Sequence, residues 1–192
     1  MWAAISNLGD AAMTLPLAVV CFAWLTRSQA GARVAIVWGA LLGSAMLLVG
    51  LTKILYAGCG VQVRALDFRV ISGHTMLASA VWPMSCLLVL HDGTRIRPGA
   101  ALWPGIAIAA LIGVSRVFDQ AHTVSEVIAG WTVGALVTVL LLRWRAAPLL
   151  PGRLRPFVAV TLLAVSALAY GHHAPIQSAI DTYSWFLCFR FG

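Results

Sequence analysis

Three polar segments interrupt a chain that is otherwise strongly apolar, and their residue types could do chemistry together. The segments are residues 53–69, 72–74 and 115–126. An ionisable side chain is costly to place near lipid, so in an apolar chain it marks a functional-site candidate by default. We therefore interpret the three segments as parts of one site.

Basic residues in these segments predict an anion-binding site. They outnumber the neighbouring carboxylates and comprise Lys53, Arg64, Arg69 and Arg116. Arginine presents a planar fork of donors that matches phosphate oxygens. Gly73 allows a backbone N–H to approach a bound oxyanion, and it follows Ser72 at a predicted helix N-terminus, which itself favours anions. Phosphate is therefore the predicted ligand.

Two histidines could complete a reaction on phosphorus. Glu126 follows His122 by one helical turn on the same face. A carboxylate at that position can hold the imidazole in one tautomer and stabilise its charged form, which makes His122 a candidate nucleophile. His74 begins another predicted helix and could protonate the leaving oxygen. The remaining histidines lack a carboxylate at helical spacing and are interpreted as ordinary loop and tail residues: His91, His172 and His173.

The composition places the elements that carry these residues in a membrane. Of 192 residues, 61% are hydrophobic and only 10% are charged, and the mean hydropathy is +0.92. A soluble domain carries about 25% charged residues. The length allows five or six spanning helices of about 20 residues each. We predict one membrane-embedded domain over residues 1–192, an all-α polytopic helical bundle with about six transmembrane helices.

The apolar runs give the predicted order of the helices. They cover residues 11–25, 34–56, 75–90, 98–118, 122–142 and 156–170. The tail, residues 171–192, is too short and too polar to span, and we predict that it lies along the membrane interface. Cys59 and Cys188 fall on the same predicted face, and whether they form a disulfide stays open, because spacing alone does not show that they approach each other.

Arginines in alternate loops predict the orientation. The loops at 27–33, 91–99 and 143–155 contain Arg27, Arg33, Arg95, Arg97, Arg143, Arg145, Arg153 and Arg155. Positive loops of membrane proteins lie on the cytoplasmic side, so the net charge of +7 reflects topology and does not predict a nucleic-acid partner. The three polar segments then face the other side. We expect an integral inner-membrane protein with its site on the periplasmic, extracytoplasmic face.

The spacing of these residues resembles a known family. Ser115 and Arg116, five further residues, His122, three further residues and Glu126 are similar to the third motif of the type 2 phosphatidic acid phosphatase (PAP2) superfamily. That motif reads Ser-Arg, five residues, His, three residues, Asp. Residues 72–74, Ser-Gly-His, resemble the second motif, Pro-Ser-Gly-His. The resemblance covers residues 53 to 131.

The resemblance implies a role for each residue. His122 would be the nucleophile, with Glu126 beside it, and His74 the general acid. The implied phosphate-binding residues are Lys53, from the first motif, with Ser72, Gly73, Ser115 and Arg116. The sequence departs from the pattern at Gly60, where the first motif has Arg, so Arg64 or Arg69 must substitute. It departs again at Ile71, which replaces Pro, and at Glu126, which replaces Asp.

The expected function is that of an integral membrane phosphatase. It would remove a terminal phosphate from a lipid phosphate or pyrophosphate through a phosphohistidine intermediate, with no metal or other cofactor. Undecaprenyl pyrophosphate-like, lipid A-like and phosphatidic acid-like substrates all stay open, with phosphatidylglycerophosphate, as does the oligomeric state. Soluble haloperoxidases share the motifs and use vanadate, but six predicted spans argue against that branch.

Two alternatives come from other classes of protein. A non-catalytic membrane protein that binds or transports anionic lipid would use the same cations and would not need His122. An intramembrane serine protease would use Ser72 as its nucleophile. Rhomboid-like intramembrane proteases have Gly two residues before the nucleophilic Ser. This chain has Val70 at that position, which argues against a protease.

Overall fold

The computed structural model describes residues 2–144 and 147–184, and α-helices dominate them. The helices are α1 (Trp2–Ser6), α2 (Ala11–Thr26), α3 (Gly31–Cys59), α4 (Gly73–Leu90), α5 (Pro98–Phe118), α6 (Val124–Trp144), α7 (Arg155–Ala169) and α8 (Ile176–Tyr183). Short 3-10 turns lie at Asn7–Gly9, Arg64–Leu66 and Gly152–Leu154. No β-strand occurs in these two ranges, which confirms the all-α prediction.

Five helices are long and apolar enough to cross a membrane. They are Gly31–Cys59, Gly73–Leu90, Pro98–Phe118, Val124–Arg143 and Gly152–Ala169. Trp2–Gly9 and Ala11–Thr26, which are bent by 41° at their junction, give a sixth candidate when the bent pair is counted as one span. The prediction of about six transmembrane helices is therefore confirmed. Exposed leucines such as Leu47 on α3 and Leu168 on α7 give the bundle the apolar outer surface that lipid requires.

Helix α4 is the centre of the bundle and contacts α2, α3, α5, α6 and α7. Its approach to α6 depends on Gly130 and Gly134, which are one turn apart on α6. A Cβ at Gly130 would lie 2.5 Å from the Ser72 carbonyl oxygen, and one at Gly134 would collide with the Met76 carbonyl. Small residues at this spacing let membrane helices pack backbone against backbone. The contact fixes the start of α4 against α6.

The predicted spans agree with the helices to within a few residues, but the chain ends contain more structure than expected. Residues 2–9 precede the first predicted span, and they form α1 and a 3-10 turn that pack on α5. The rings of Trp2 and Phe118 stack there with centroids 4.7 Å apart. The described part of the tail forms α8, which contacts α3. Cys188, the other cysteine of the possible pair with Cys59, lies outside the described residues.

Candidate active site

A cavity of about 460 Å³ lies between α3, α4, α5 and α6. Its lining consists of Lys53, Tyr56, Ala57, Arg69, Val70, His74, Arg116, Ala121, His122 and Glu126. Apart from Tyr56, every polar side chain in this set belongs to the site predicted from the sequence. The fold therefore brings residues from all three polar segments into one cavity.

The paired histidine and carboxylate are in direct contact. His122 Nδ1 lies 2.7 Å from Glu126 Oε2. The same oxygen accepts a hydrogen bond from the Thr123 backbone N–H, and the Thr123 hydroxyl in turn accepts from the Glu126 backbone N–H. This reciprocal pair is a capping box, which starts α6 and fixes the carboxylate. Glu126 therefore orients His122 and begins the helix at the same time.

The other carboxylate oxygen of Glu126 holds the segment that leads into α4. Glu126 Oε1 accepts from the backbone N–H of Arg69 at 3.0 Å and of Val70 at 3.3 Å. It also pairs with Arg69 Nε at 3.2 Å. The Ser72 backbone N–H donates to the Glu126 backbone carbonyl at 3.2 Å. One buried glutamate of the third polar segment therefore contacts both the first segment, at Arg69, and the second, at Ser72.

Burial and charge act on the ionisable groups outside the spanning helices. Burial lowers the pKa of His122 below its ordinary 6.5, against the hydrogen bond and the charge of Glu126, which raise it. The charge of Glu126 raises the pKa of Arg69 above its ordinary value. At neutral pH the His122 imidazole is therefore neutral, and the Arg69 guanidinium in the same cavity is positively charged.

Three cations line the cavity and suit an anionic ligand. Arg116 Nη1 donates to the Ser6 hydroxyl at 2.7 Å, while Arg116 Nε is buried with no hydrogen-bond partner among the described residues. Lys53 and Arg69 lie on the α3 side and the loop side of the same cavity. A buried donor without a partner is unfavourable, so a ligand oxygen at Arg116 Nε would remove that cost.

His74 has a carboxylate neighbour that is remote from it in sequence. His74 Nε2 lies 3.4 Å from Asp10 Oδ2, at the bend between α1 and α2. An acidic residue just before an apolar run is a helix N-cap signal, and Asp10 does accept the Ala12 N–H at 2.8 Å. That signal locates the start of α2 but does not reveal the contact with His74, because the two residues are remote in sequence. Ser6, the partner of Arg116, has no sequence signal either.

Four residues predicted to bind phosphate do not line the cavity. The Arg64 side chain is exposed in its turn. Ser72 is fully buried, and its hydroxyl lies 3.0 Å from the Thr75 hydroxyl. The Ser115 hydroxyl donates to the Ile112 carbonyl of its own helix at 2.7 Å. Gly73 lines a neighbouring crevice, where a Cβ on it would lie 3.9 Å from Lys53 Nζ.

The fold and the cavity define a helical membrane protein with a histidine–carboxylate pair among cations. Comparison with known proteins identifies the family: the model of the PAP2 superfamily matches residues 54–150. A Klebsiella pneumoniae protein, described as an uncharacterized 22.5 kDa protein in the cps region, is 35% identical over 142 residues, which are 73% of this chain and 68% of that protein. The chain belongs to the PAP2 superfamily, and its assignment as a membrane hydrolase of the phosphatase class follows from the family.

A solved structure shares the fold. It is the crystal structure of a transmembrane PAP2-type phosphatidylglycerolphosphate phosphatase from Bacillus subtilis, with a TM-score of 0.57 over 74% of each chain. The sequence identity is 24%, so this likeness establishes the architecture alone. It agrees with the polytopic helical bundle described above.

Proposed function

We propose that this protein hydrolyses the terminal phosphate of a lipid phosphate or lipid pyrophosphate at the membrane. The observation that carries the proposal is the contact of His122 Nδ1 with Glu126 at 2.7 Å, on the wall of a cavity that also holds Lys53, Arg69 and Arg116. A neutral imidazole among cations is suited to attack an anionic phosphoryl group, because the cations neutralise the charge that otherwise repels a nucleophile.

The reaction has two steps. In the first, His122 Nε2 attacks phosphorus and forms an N–P bond while the bond to the leaving oxygen breaks. His74 gives that oxygen a proton, and the product is a lipid alcohol, or a lipid monophosphate when the substrate is a pyrophosphate. In the second step, a water molecule attacks the phosphohistidine and returns a proton to His74, which releases inorganic phosphate and restores both histidines.

The structure supports one choice for the incomplete first motif. Arg69 lines the cavity and is held by Glu126, whereas Arg64 is exposed in its turn. We assign Arg69 to the phosphate-binding role, together with Lys53 and Arg116. Ser72 and Ser115 have hydroxyls that are occupied by neighbouring groups, so we assign them to holding the helix ends in place.

The substrate class follows from the membrane and from the expected orientation. Arginine-rich loops on the opposite side support a cavity that opens at the outer leaflet. Undecaprenyl pyrophosphate-like, lipid A-like and phosphatidic acid-like lipids are the substrates to compare. Phosphatidylglycerolphosphate joins them because the Bacillus subtilis phosphatase with this fold carries that name. The buried, hydrogen-bonded Ser72 hydroxyl weighs against a serine protease.

Purified protein assayed for phosphate release from this panel tests the proposal. Turnover of at least one lipid is expected, with and without a chelator, and His122→Ala should abolish it. His172→Ala is the matched control, since His172 is an exposed tail histidine, and it should keep wild-type turnover. A wild-type protein that binds these lipids and hydrolyses none would favour the non-catalytic lipid-binding alternative.

A further inference from the structure

The bend between α1 and α2 places a buried carboxylate beside His74. Asp10 is 6% exposed, and each of its oxygens has two neighbours. Oδ1 accepts from the Ala12 N–H at 2.8 Å and the Ala174 N–H at 3.1 Å. Oδ2 lies 3.2 Å from His173 Nδ1 and 3.4 Å from His74 Nε2. The N-terminal segment and the tail thus hold this carboxylate in one position against α4.

His74 lies between two spaces. One is the cavity that holds His122, and the other is a crevice of about 140 Å³ that Asp10 also lines. Lys53 lines both spaces. The charged and titratable groups that act on His74 come from every side: Lys53 of α3, Arg116 of α5, His122 of the α5–α6 connection and Asp10. Within the described residues, Asp10 is the carboxylate at ion-pair distance from this ring.

Burial and the surrounding positive charges make a protonated His74 unfavourable unless something opposes them. Lys53 and Arg116 repel a charged imidazole, and a general acid must carry its proton before it can donate it. A carboxylate near one ring nitrogen offsets that repulsion and fixes which nitrogen faces the reacting group. Glu126 makes the corresponding contact with His122 on the other wall. Each histidine of the cavity therefore has its own carboxylate, supplied by a different part of the chain.

We propose that Asp10 is a positioning residue that favours the charged form of His74 and orients it as the proton donor. The inference rests on the proposed function. As the N–P bond forms at His122 and the bond to the leaving oxygen breaks, the proton moves from His74 to that oxygen. Asp10 keeps its negative charge throughout and holds the other ring nitrogen. Its effect should then depend on how much protonation the leaving group needs.

Asp10→Asn in the full-length protein tests this, with a long-chain alkyl phosphate and an aryl phosphate as paired substrates. Asn keeps the acceptor for the Ala12 and Ala174 N–H groups, so the bend is preserved. We expect turnover of the alkyl phosphate to fall about tenfold to a hundredfold and that of the aryl phosphate to fall much less, since aryl oxides leave without a proton. The alkaline limb of the alkyl rate profile should move to lower pH, because a His74 without its anion loses its proton more easily.

Two further variants complete the test. His172→Gln changes an exposed tail histidine that is not among the hydrogen-bond partners of Asp10, and both substrates should be turned over at the wild-type rate. Should Asp10→Asn not fold, Asp10→Ser retains an N-cap acceptor without the charge and is expected to behave in the same way. An equal loss on both substrates, or an unmoved alkaline limb, would overturn the positioning role while leaving the proposed function intact. A wild-type protein inactive on both substrates would overturn the proposed function, and this inference with it.

Discussion

At His122, one hydrogen bond decides which ring nitrogen can react. Nδ1 is engaged by Glu126 at 2.7 Å, so Nε2 is the nitrogen left for phosphorus. Burial favours the neutral ring, and the adjacent carboxylate stabilises the charge that develops as the N–P bond forms. The longer side chain of Glu, compared with the Asp of the family motif, still reaches the ring and at the same time holds Arg69.

The pH dependence of turnover tests this environment. The pKa of His122 is lowered from 6.5 by burial, so the ring stays neutral until the pH falls below that value. We expect the acid limb of kcat/KM, after correction for ionisation of the substrate, to have its midpoint below 6.5. Glu126→Gln should move the midpoint to a still lower pH, because the substitution removes the negative charge that raises the pKa of His122. A midpoint above 6.5 in the wild-type protein would contradict the buried, neutral nucleophile.

Residue types predicted the reacting pair but not all of its surroundings. The spacing of His122 and Glu126 predicted their contact correctly, but His122 lies two residues before α6 and reaches Glu126 across the capping turn at Thr123. Ser72 and Ser115 have the right chemistry for phosphate, yet each buried hydroxyl is satisfied by a nearby partner: the Thr75 hydroxyl for Ser72 and the Ile112 carbonyl for Ser115. Asp10 is absent from the local pattern because its contact with His74 depends on how the helices pack.

Between the helices, the segment of residues 69–72 is positioned by its contacts with Glu126, and this distinguishes the two candidate arginines. Arg69→Ala should remove a charge-assisted contact to phosphate, worth about 1.5–3 kcal/mol, and slow turnover roughly tenfold to a hundredfold. Arg64→Ala is the matched control, since Arg64 is exposed, and it should leave the rate unchanged. Steady-state kinetics with the lipid that is turned over fastest would show which arginine binds phosphate. A silent Arg69→Ala with an impaired Arg64→Ala would reverse the assignment.

The contact of α6 with the start of α4 should be sensitive to a single methyl group. In Gly130→Ala the added Cβ would lie 2.5 Å from the Ser72 carbonyl, so the two helices must separate. We expect a lower melting temperature in detergent and reduced turnover. Gly43→Ala is the control, because a Cβ at Gly43 on α3 has nothing within 4 Å and should be neutral or slightly stabilising. Equal melting temperatures for the two variants would refute the close-packing role of Gly130.

Hydrophobic runs located the spanning helices because their lengths and the prolines and arginines at their ends restrict where they begin and stop. They did not reveal α1, since five residues cannot form a span and their role appears only when Trp2 stacks on Phe118. The spacing of Gly130 and Gly134 indicates a close contact between helices, but it does not identify the partner helix. Elements were therefore predictable, and their packing partners were not.

For the molecule as a whole, the orientation in the membrane determines which leaflet supplies the substrate. A reporter active only in the cytoplasm should work when fused at Gly93, in the connection between α4 and α5, and fail at Gly60, after α3. The reason is the excess of arginines in the loops on the Gly93 side. Both fusions should be checked for expression. Activity at Gly60 and not at Gly93 would place the cavity on the inner leaflet.

Trapping the phosphorylated enzyme shows whether His122 carries the phosphoryl group between the two steps. Purified protein is mixed with its best substrate, quenched with alkali within the first turnover, digested and analysed by mass spectrometry. Phosphohistidines survive alkali, whereas phosphoserine does not. We expect a phosphoryl group on His122 in the wild-type protein, more of it in a His74→Ala variant assayed with an aryl phosphate, and none in His122→Ala, which should not turn over. A phosphoryl group on another residue, or near-normal turnover by His122→Ala on every substrate, would contradict the account.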